Sequence, residues 1–116
     1  MKQLSTTDIS ATFESDPAFL GVFAVDKLPS TVPPGKLKAV VNLQPSNLPG
    51  NHWVSVFRRN NGVGYYFDSF GTIPPLAIQA WLSKHCVNWT WNVLTIQPVN
   101  DNVLCGYLCI KFLKRL

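Results

Sequence analysis

The chain has 116 residues, of which 47% are hydrophobic and 14% charged, and a formal net charge of +4 at pH 7. This length fits a single domain, residues 1–116, and this hydrophobicity excludes a disordered chain. The longest apolar run, at 19–25, is too short to cross a membrane, and no secretion signal opens the sequence. Three cysteines are an odd, sparse set for a secreted scaffold, so we expect reduced thiols in an intracellular protein.

The first part of the chain predicts one helix and two extended segments. Serine and threonine in STTDISATF can cap a short helix that carries Ile9 and Phe13 on one face. FLGVFAVDKLPS predicts an extended segment that ends in a turn. KLKAVVNLQP predicts a strand that Pro45 ends, because proline cannot donate to the ladder of a sheet.

The clearest local pattern is a hairpin in HWVSVFRRNNGVGYYFDSFG. Two aromatic and β-branched runs flank Asn60-Asn61-Gly62. If these three residues form a type I turn followed by a left-handed Gly62, Arg59 lies opposite Val63. A two-residue turn at Asn61-Gly62 would shift the register by one residue and exchange the two faces of one strand.

The three-residue loop has a consequence at the far end of the hairpin. Counting back from the turn pairs Val54 with Asp68 and His52 with Phe70. His52 and Asp68 then project from one face as diagonal neighbours, roughly 7–8 Å apart at Cα and within side-chain reach. Alternatively, Asp68 only caps the turn before Gly71.

The last part predicts a helix, a strand and a second helix. IPPLAIQAWLSKHC has prolines at a helix start and an apolar face formed by Leu76, Ala80 and Trp81. VNWTWNVLTIQP alternates and predicts a strand that ends near Gln97. CGYLCIKFLKRL predicts a helix with cations near its end and an apolar face formed by Leu104, Leu108, Cys109 and Phe112. We expect an α+β fold with helices packed on a central, mostly antiparallel sheet.

Cys105 is the candidate nucleophile. It begins the last helix, where free N–H groups and the helix dipole favour a thiolate. Gly106 follows, and its missing side chain leaves room for a substrate to approach the thiol. Cys109 lies one turn further along the apolar face and suits packing as a small buried hydrophobe. Position alone is weak evidence, since structural cysteines outnumber catalytic ones.

A nucleophilic cysteine needs a base, and the base needs an orienting group. His52 can reach Asp68 in the register given above. His85 lies near a helix end, where an exposed role or a contact with the helix dipole is expected. Gln97, eight residues before Cys105, could donate to an oxyanion together with the Cys105 N–H, or it is an ordinary polar residue at a strand end.

A metal site is the competing use of the same residue types. His85, Cys86, Cys105 and Cys109 supply four nitrogen and sulfur ligands. Their spacing differs from the short Cys-x-x-Cys pairs of zinc sites, and the second pair lies within one helix. We therefore expect no metal.

The order of these motifs resembles a protease family. His52-Trp53, FDSFG at 67–71, Gln97 and CGYLC at 105–109 follow one another as in the adenovirus maturation protease (adenain) family and, more distantly, the ubiquitin-like-protein proteases. The similar segments cover most of the chain. This short sequence most resembles the small proteases of virophages and Polinton (Maverick) elements. The resemblance implies a papain-like or adenain-like cysteine protease fold with the nucleophile at the N-terminus of a helix.

The resemblance also implies roles for individual residues. Cys105 would be the nucleophile, His52 its base, Asp68 the orienting acid and Gln97 the oxyanion donor. Trp53, next to the base, would form a wall of the groove that binds the substrate backbone, with Gly106 beside it. The third member of the triad is Asp, as in the ubiquitin-like-protein proteases, whereas adenain has Glu. The connection from Gln97 to Cys105 is also longer than usual.

The function implied by the resemblance is that of a cysteine endopeptidase which cleaves viral capsid and structural precursors during virion maturation, near small residues such as glycine. No cofactor is required, although an activating viral peptide or DNA fits the family, and Cys86 occupies a position comparable to the cysteine that binds such a peptide by a disulfide. We expect a monomer that acts in the virion and in the cytoplasm or nucleus of the host cell. Its substrates would be capsid precursors. Its basic surface would bind nucleic acid, and we expect no contact with a membrane. The alternatives are a protease for ubiquitin-like modifiers and a non-catalytic module that binds glycine-rich tails.

Overall fold

The structure, a computed structural model, describes residues 3–44, 52–92 and 104–116. Pro45 and Gln97, and with them the predicted ends of two strands, lie outside these ranges. The elements in chain order are α1 Thr6–Thr12, β1 Phe19–Ala24, a 3-10 turn Val25–Lys27, β2 Leu37–Asn42, β3 Trp53–Arg58, β4 Val63–Phe67, α2 Leu76–His85, β5 Asn88–Trp91 and α3 Leu104–Lys114. No helix in this described part of the chain has the length and hydropathy that crossing a membrane requires.

The strands form one sheet of five in the order β1-β2-β3-β4-β5. The three central strands are antiparallel to one another, while β1 runs parallel to β2 and β5 runs parallel to β4. Helices cover both faces, so the predicted α+β class with a central sheet is confirmed.

Helix α1 forms where the capping residues predict it. The Ser5 hydroxyl accepts a hydrogen bond from the Asp8 N–H at 3.2 Å, and the Asp8 carboxylate accepts one from the Ser5 N–H at 2.9 Å. This reciprocal pair satisfies two donors that a helix start leaves free. Ile9 and Phe13 are buried together, as predicted.

The hairpin has the predicted three-residue loop. The Arg59 N–H donates to the Val63 carbonyl at 2.9 Å, and Gly62 has a φ of +92°. The ladder pairs Ser55 with Phe67 and continues in that register to the turn. Turn chemistry is local, which is why the sequence alone was sufficient to predict the pairing.

Each face of the sheet has its own core. Cys105, Cys109 and Leu113 of α3 pack with Ile9 and Phe13 on one face. Residues of α2 cover the other face, where the buried set is Leu37, Ala39, Val41, Val54, Val56, Tyr66, Ile78, Trp81 and Leu82.

The predicted buried face of α2 is partly wrong. Trp81 is buried as expected, but Leu76 is 79% exposed and Ala80 is also exposed. Ile78 and Leu82 take their place against the sheet. Leu76 is the first residue of the helix, directly after Pro75, so it projects beyond the edge of the core.

The face of α3 is rotated relative to the prediction. Cys105, Cys109 and Leu113, spaced four apart, are fully buried. Leu108 and Phe112 lie at the border of this core, where the Phe112 ring stacks on other aromatic rings, and are only partly buried. Leu104 and Leu108 are similar in hydrophobicity to the buried residues, so composition alone could not show which stripe faces the sheet.

Candidate active site

His52 and Asp68 meet at the end of the hairpin. His52 directly precedes β3 and Asp68 directly follows β4. The His52 Nε2 atom lies 2.8 Å from Asp68 Oδ1. Only 13% of the His52 side chain and 3% of the Asp68 side chain are exposed, so solvent screens this pair little. The predicted approach of the two side chains is confirmed.

Asp68 also closes the turn after β4. Its Oδ1 atom accepts a hydrogen bond from the Phe70 N–H at 2.8 Å, and its carbonyl accepts one from the Gly71 N–H at 2.8 Å. Gly71 has a φ of +73°, a left-handed conformation that glycine adopts without steric cost. The two alternatives for Asp68, a turn cap and a partner of His52, are therefore combined in one residue.

Phe70 fixes the plane of the His52 ring. The two rings stack with centroids 4.4 Å apart and planes 5° from parallel. The hairpin register places Phe70 opposite His52, but sequence reasoning assigned it no role. The aromatic ring restricts rotation of the imidazole while Asp68 holds one of its nitrogens.

Cys105 lies near the start of α3 and is completely buried. The backbone N–H of Trp53 donates to its Sγ atom at 3.4 Å. Trp53 is the first residue of β3 and follows His52 in the chain, so the start of this strand brings both the imidazole and this N–H to the thiol. The predicted position of Cys105, at a helix start beside the His–Asp pair, is confirmed.

The environment of His52 changes its protonation. Burial is the largest single influence and lowers the pKa of His52. Asp68 and Cys105 act in the opposite direction through hydrogen bonds and negative charge, and together they raise the pKa to about 9. Nε2 is held by Asp68, which leaves the buried Nδ1 atom as the ring nitrogen that can interact with Cys105. Nδ1 is thus the ring nitrogen left for proton exchange with the thiol.

Cys109 has the environment of a packing residue. It is fully buried, and burial raises the pKa of its thiol well above the ordinary value. A thiol with this environment stays protonated and is a poor nucleophile. The prediction that Cys109 serves as a small buried side chain is confirmed.

Gly106 does not border an open groove. A Cβ atom at this position would lie 3.1 Å from Cδ1 of Trp53 and 3.2 Å from Cδ1 of Leu4. Trp53 is only 4% exposed, and its Nε1 donates to the Leu4 carbonyl at 3.2 Å. In this structure Trp53 and Leu4 fill the space beside Gly106, so the missing side chain lets α3 approach β3 closely. The role of Gly106 toward a substrate stays a prediction.

The remaining candidates lie apart from this cluster or outside the description. Cys86 follows α2 and precedes β5, as expected, and is half-buried beside Gly64. Burial raises the pKa of its thiol, while the charge of Arg58 acts in the opposite direction. The oxyanion role of Gln97 stays a prediction. Among the described residues, no group of three or more His, Cys, Asp or Glu could hold a metal ion.

Asn92 is a member of the cluster that sequence reasoning missed. Its Oδ1 atom accepts a hydrogen bond from the Asp68 N–H at 2.9 Å, and its Nδ2 atom donates to the Asp68 carbonyl at 2.6 Å. The only signal in the sequence is a polar residue directly after the alternating run NWTW. The alternating pattern predicts Asn92 inside a strand that continues to Gln97, whereas β5 ends at Trp91.

No protein-family model and no curated protein sequence matches the chain. Solved structures that share its fold include the following two. The ASFV pS273R protease superposes with a TM-score of 0.69 and 17% sequence identity over 96% of this chain and 57% of that chain. The central domain of the uncharacterized Lpg1148 protein from Legionella pneumophila has a TM-score of 0.57 and 15% identity, over 99% and 78% of the two chains. This chain thus spans little more than half of the pS273R structure. The chain therefore shares its fold with a viral cysteine protease, as the predicted fold class implies.

Proposed function

We propose that the protein is a cysteine endopeptidase with Cys105 as nucleophile, His52 as proton carrier and Asp68 as orienting acid. The observation that carries the proposal is the 2.8 Å contact between His52 Nε2 and Asp68 Oδ1 next to a cysteine at a helix start. A nucleophile, a base and a group that holds the base form the arrangement that acyl transfer requires.

The protonation state of His52 at the start of the reaction follows from its pKa, which is raised to about 9. At neutral pH the imidazole is therefore protonated, and the mechanism we propose starts from this imidazolium beside a Cys105 thiolate. The Cys105 sulfur attacks the peptide carbonyl, and His52 gives its proton to the amine that leaves. Neutral His52 then takes a proton from water as the water oxygen attacks the thioester. The intermediate collapses to the carboxylic acid and the Cys105 thiolate, which restores the imidazolium–thiolate pair.

Asp68 has two functions in this scheme. Its carboxylate keeps Nε2 occupied, which leaves Nδ1 toward the thiol, and its negative charge stabilises the imidazolium. The N–H of Cys105, with Gln97 as a second donor, would stabilise the oxyanion of the tetrahedral intermediate.

Substrate must displace atoms that cover the nucleophile. Cys105 has no exposed surface, and Trp53 is in contact with Leu4. A peptide carbonyl can reach Sγ only after side chains next to the thiol move. We propose Trp53 as the wall of the groove that opens, so the indole would contact the substrate backbone once Leu4 has left it.

The substrates we propose are viral capsid and structural precursors, cleaved near small residues such as glycine during virion maturation. Support comes from the order of the motifs, which resembles the adenain family, and from the fold shared with the ASFV pS273R protease. The proposal includes action as a monomer in the virion and the infected cell, contact with nucleic acid through the basic surface, and Cys86 as the attachment point of an activating peptide.

The test is cleavage with product mapping. The reduced protein is incubated with capsid precursors that contain glycine-rich sites, with a ubiquitin-like modifier that ends in Gly-Gly extended by a short tail, and with a thiol-reactive peptide probe. Cys105→Ala and Cys109→Ala serve as a matched pair of thiol deletions. Cuts in the precursors that need Cys105 and not Cys109 support the proposal. Cleavage of the modifier alone would favour the alternative protease, and no selective labelling of Cys105 would indicate a binding module.

A further inference from the structure

The regular pairing between β4 and β5 stops just before Asp68. The last pair of this parallel ladder is Tyr66 with Trp91. Phe67 is the final residue of β4, so Asp68 lies beyond the ladder that orders the strand. A residue in this position would have to find other partners for its backbone.

The side chain of Asn92 provides those partners. Its amide accepts from the N–H of Asp68 at 2.9 Å and donates to the carbonyl of the same residue at 2.6 Å. One side-chain amide thus makes both hydrogen bonds that a neighbouring strand would make. Asp68 is only 2% exposed, so water would be a poor replacement for either bond.

The position of the Asp68 backbone determines where its carboxylate lies. The Oδ1 atom of Asp68 lies 2.8 Å from Nε2 of His52 and accepts a hydrogen bond from the Phe70 N–H at 2.8 Å. A displacement of the backbone would lengthen both contacts, because the side chain of aspartate has only one methylene group between backbone and carboxylate. Few residue types can replace the asparagine: an acid lacks the donor, and a glutamine is one methylene longer.

We propose that Asn92 is a positioning residue, which holds the backbone of Asp68 so that the carboxylate faces His52. Its effect on turnover rests on the proposed function, whereas its effect on the His52–Asp68 contact does not. The two side-chain hydrogen bonds described above both join Asn92 to the backbone of Asp68, so we expect Asn92 to act through Asp68.

The experiment compares Asn92→Ala with Asn88→Ala. Asn88 begins the same strand at its other end, opposite Val63, and is exposed, so it reports any general effect of removing an amide from β5. Two readouts are taken: kcat and KM on a cleaved peptide, and the titration of the His52 ring followed by NMR in the reduced protein. Asp68 and Cys105 are the titratable groups that face this ring.

For Asn92→Ala we expect kcat to fall roughly 10- to 100-fold with KM within about twofold, because a displaced orienting group disturbs the geometry of reaction more than binding. The His52 titration should move to lower pH, since Asp68 would stabilise the imidazolium less. Asn88→Ala should match the wild type in both readouts. If Asn92→Ala does not fold, Asn92→Ser, which keeps one hydrogen-bonding group, is measured instead.

An unchanged His52 titration in the Asn92 variant would overturn the proposal, even if kcat falls. An effect of equal size in Asn88→Ala would do the same. If no substrate is ever cleaved, the titration alone decides: a shift confined to Asn92 would support positioning while the proposed function fails.

Discussion

Asp68→Asn should alter how the stability of the protein depends on pH. Raising the pKa of His52 from its ordinary value of 6.5 to about 9 corresponds to about 3 kcal/mol in favour of the charged folded form. This contribution is complete below about pH 6.5 and is lost as the pH rises to about 9, because the unfolded histidine has already released its proton. The wild type should therefore lose roughly that amount of stability across this interval.

The asparagine keeps an oxygen that can accept from Nε2 but lacks the negative charge. Cys105 still raises the pKa of His52 in the variant, so we expect the loss between the two pH values to shrink to about half or less rather than to vanish. Turnover should fall substantially but incompletely. Its decline on the alkaline side should begin at a lower pH than in the wild type, because the imidazolium loses its proton earlier.

The assay is urea unfolding of the reduced protein at several pH values between about 6 and 9.5, which bracket the two pKa values of His52. His85→Ala is the matched control. Burial, Lys84 and Arg58 lower the pKa of that histidine, so its removal should leave the loss of stability between about pH 6.5 and 9 unchanged. An Asp68→Asn protein with the wild-type pH dependence would refute the reasoning. It would mean that the carboxylate does not stabilise the charged imidazole.

Three further predictions concern the thiols and the base. Limiting iodoacetamide near neutral pH should label Cys105 before Cys86 or Cys109, because only Cys105 has an imidazolium beside it, and this should hold although Cys105 is buried. Preferential labelling of Cys109, detected by peptide mapping, would contradict this. Cys105→Ala should abolish cleavage with the fold intact, whereas Cys109→Ala should keep cleavage; both side chains are fully buried, so each deletion should lower the unfolding free energy by about 1 kcal/mol in urea unfolding, and cleavage lost only in Cys109→Ala would exchange the two roles. His52→Ala should lower kcat more than Asp68→Asn does, since no neighbour can carry the proton; equal kinetic losses would show that Asp68 does more than orient and stabilise the ring.

Sequence alone determined the features that depend on local chemistry. The capping pair of Ser5 and Asp8 starts α1 regardless of what the helix packs against. The Asn-Asn-Gly loop sets the hairpin register, and the register in turn brings His52 to Asp68. Turns and caps are decided by hydrogen bonds and φ values within a few residues, so the sequence could be used to place this pair without knowledge of the remaining fold.

Tertiary structure decided everything that depends on which surfaces meet. The stripes of α2 and α3 that face the sheet, and the contact of Gly106 with Trp53 and Leu4, follow from packing between residues far apart in the chain. Asn92 could not be predicted, because its hydrogen bonds exist only where β5 ends beside Asp68. The same holds for the pKa of His52, since burial and two charged neighbours act together only after the chain has folded.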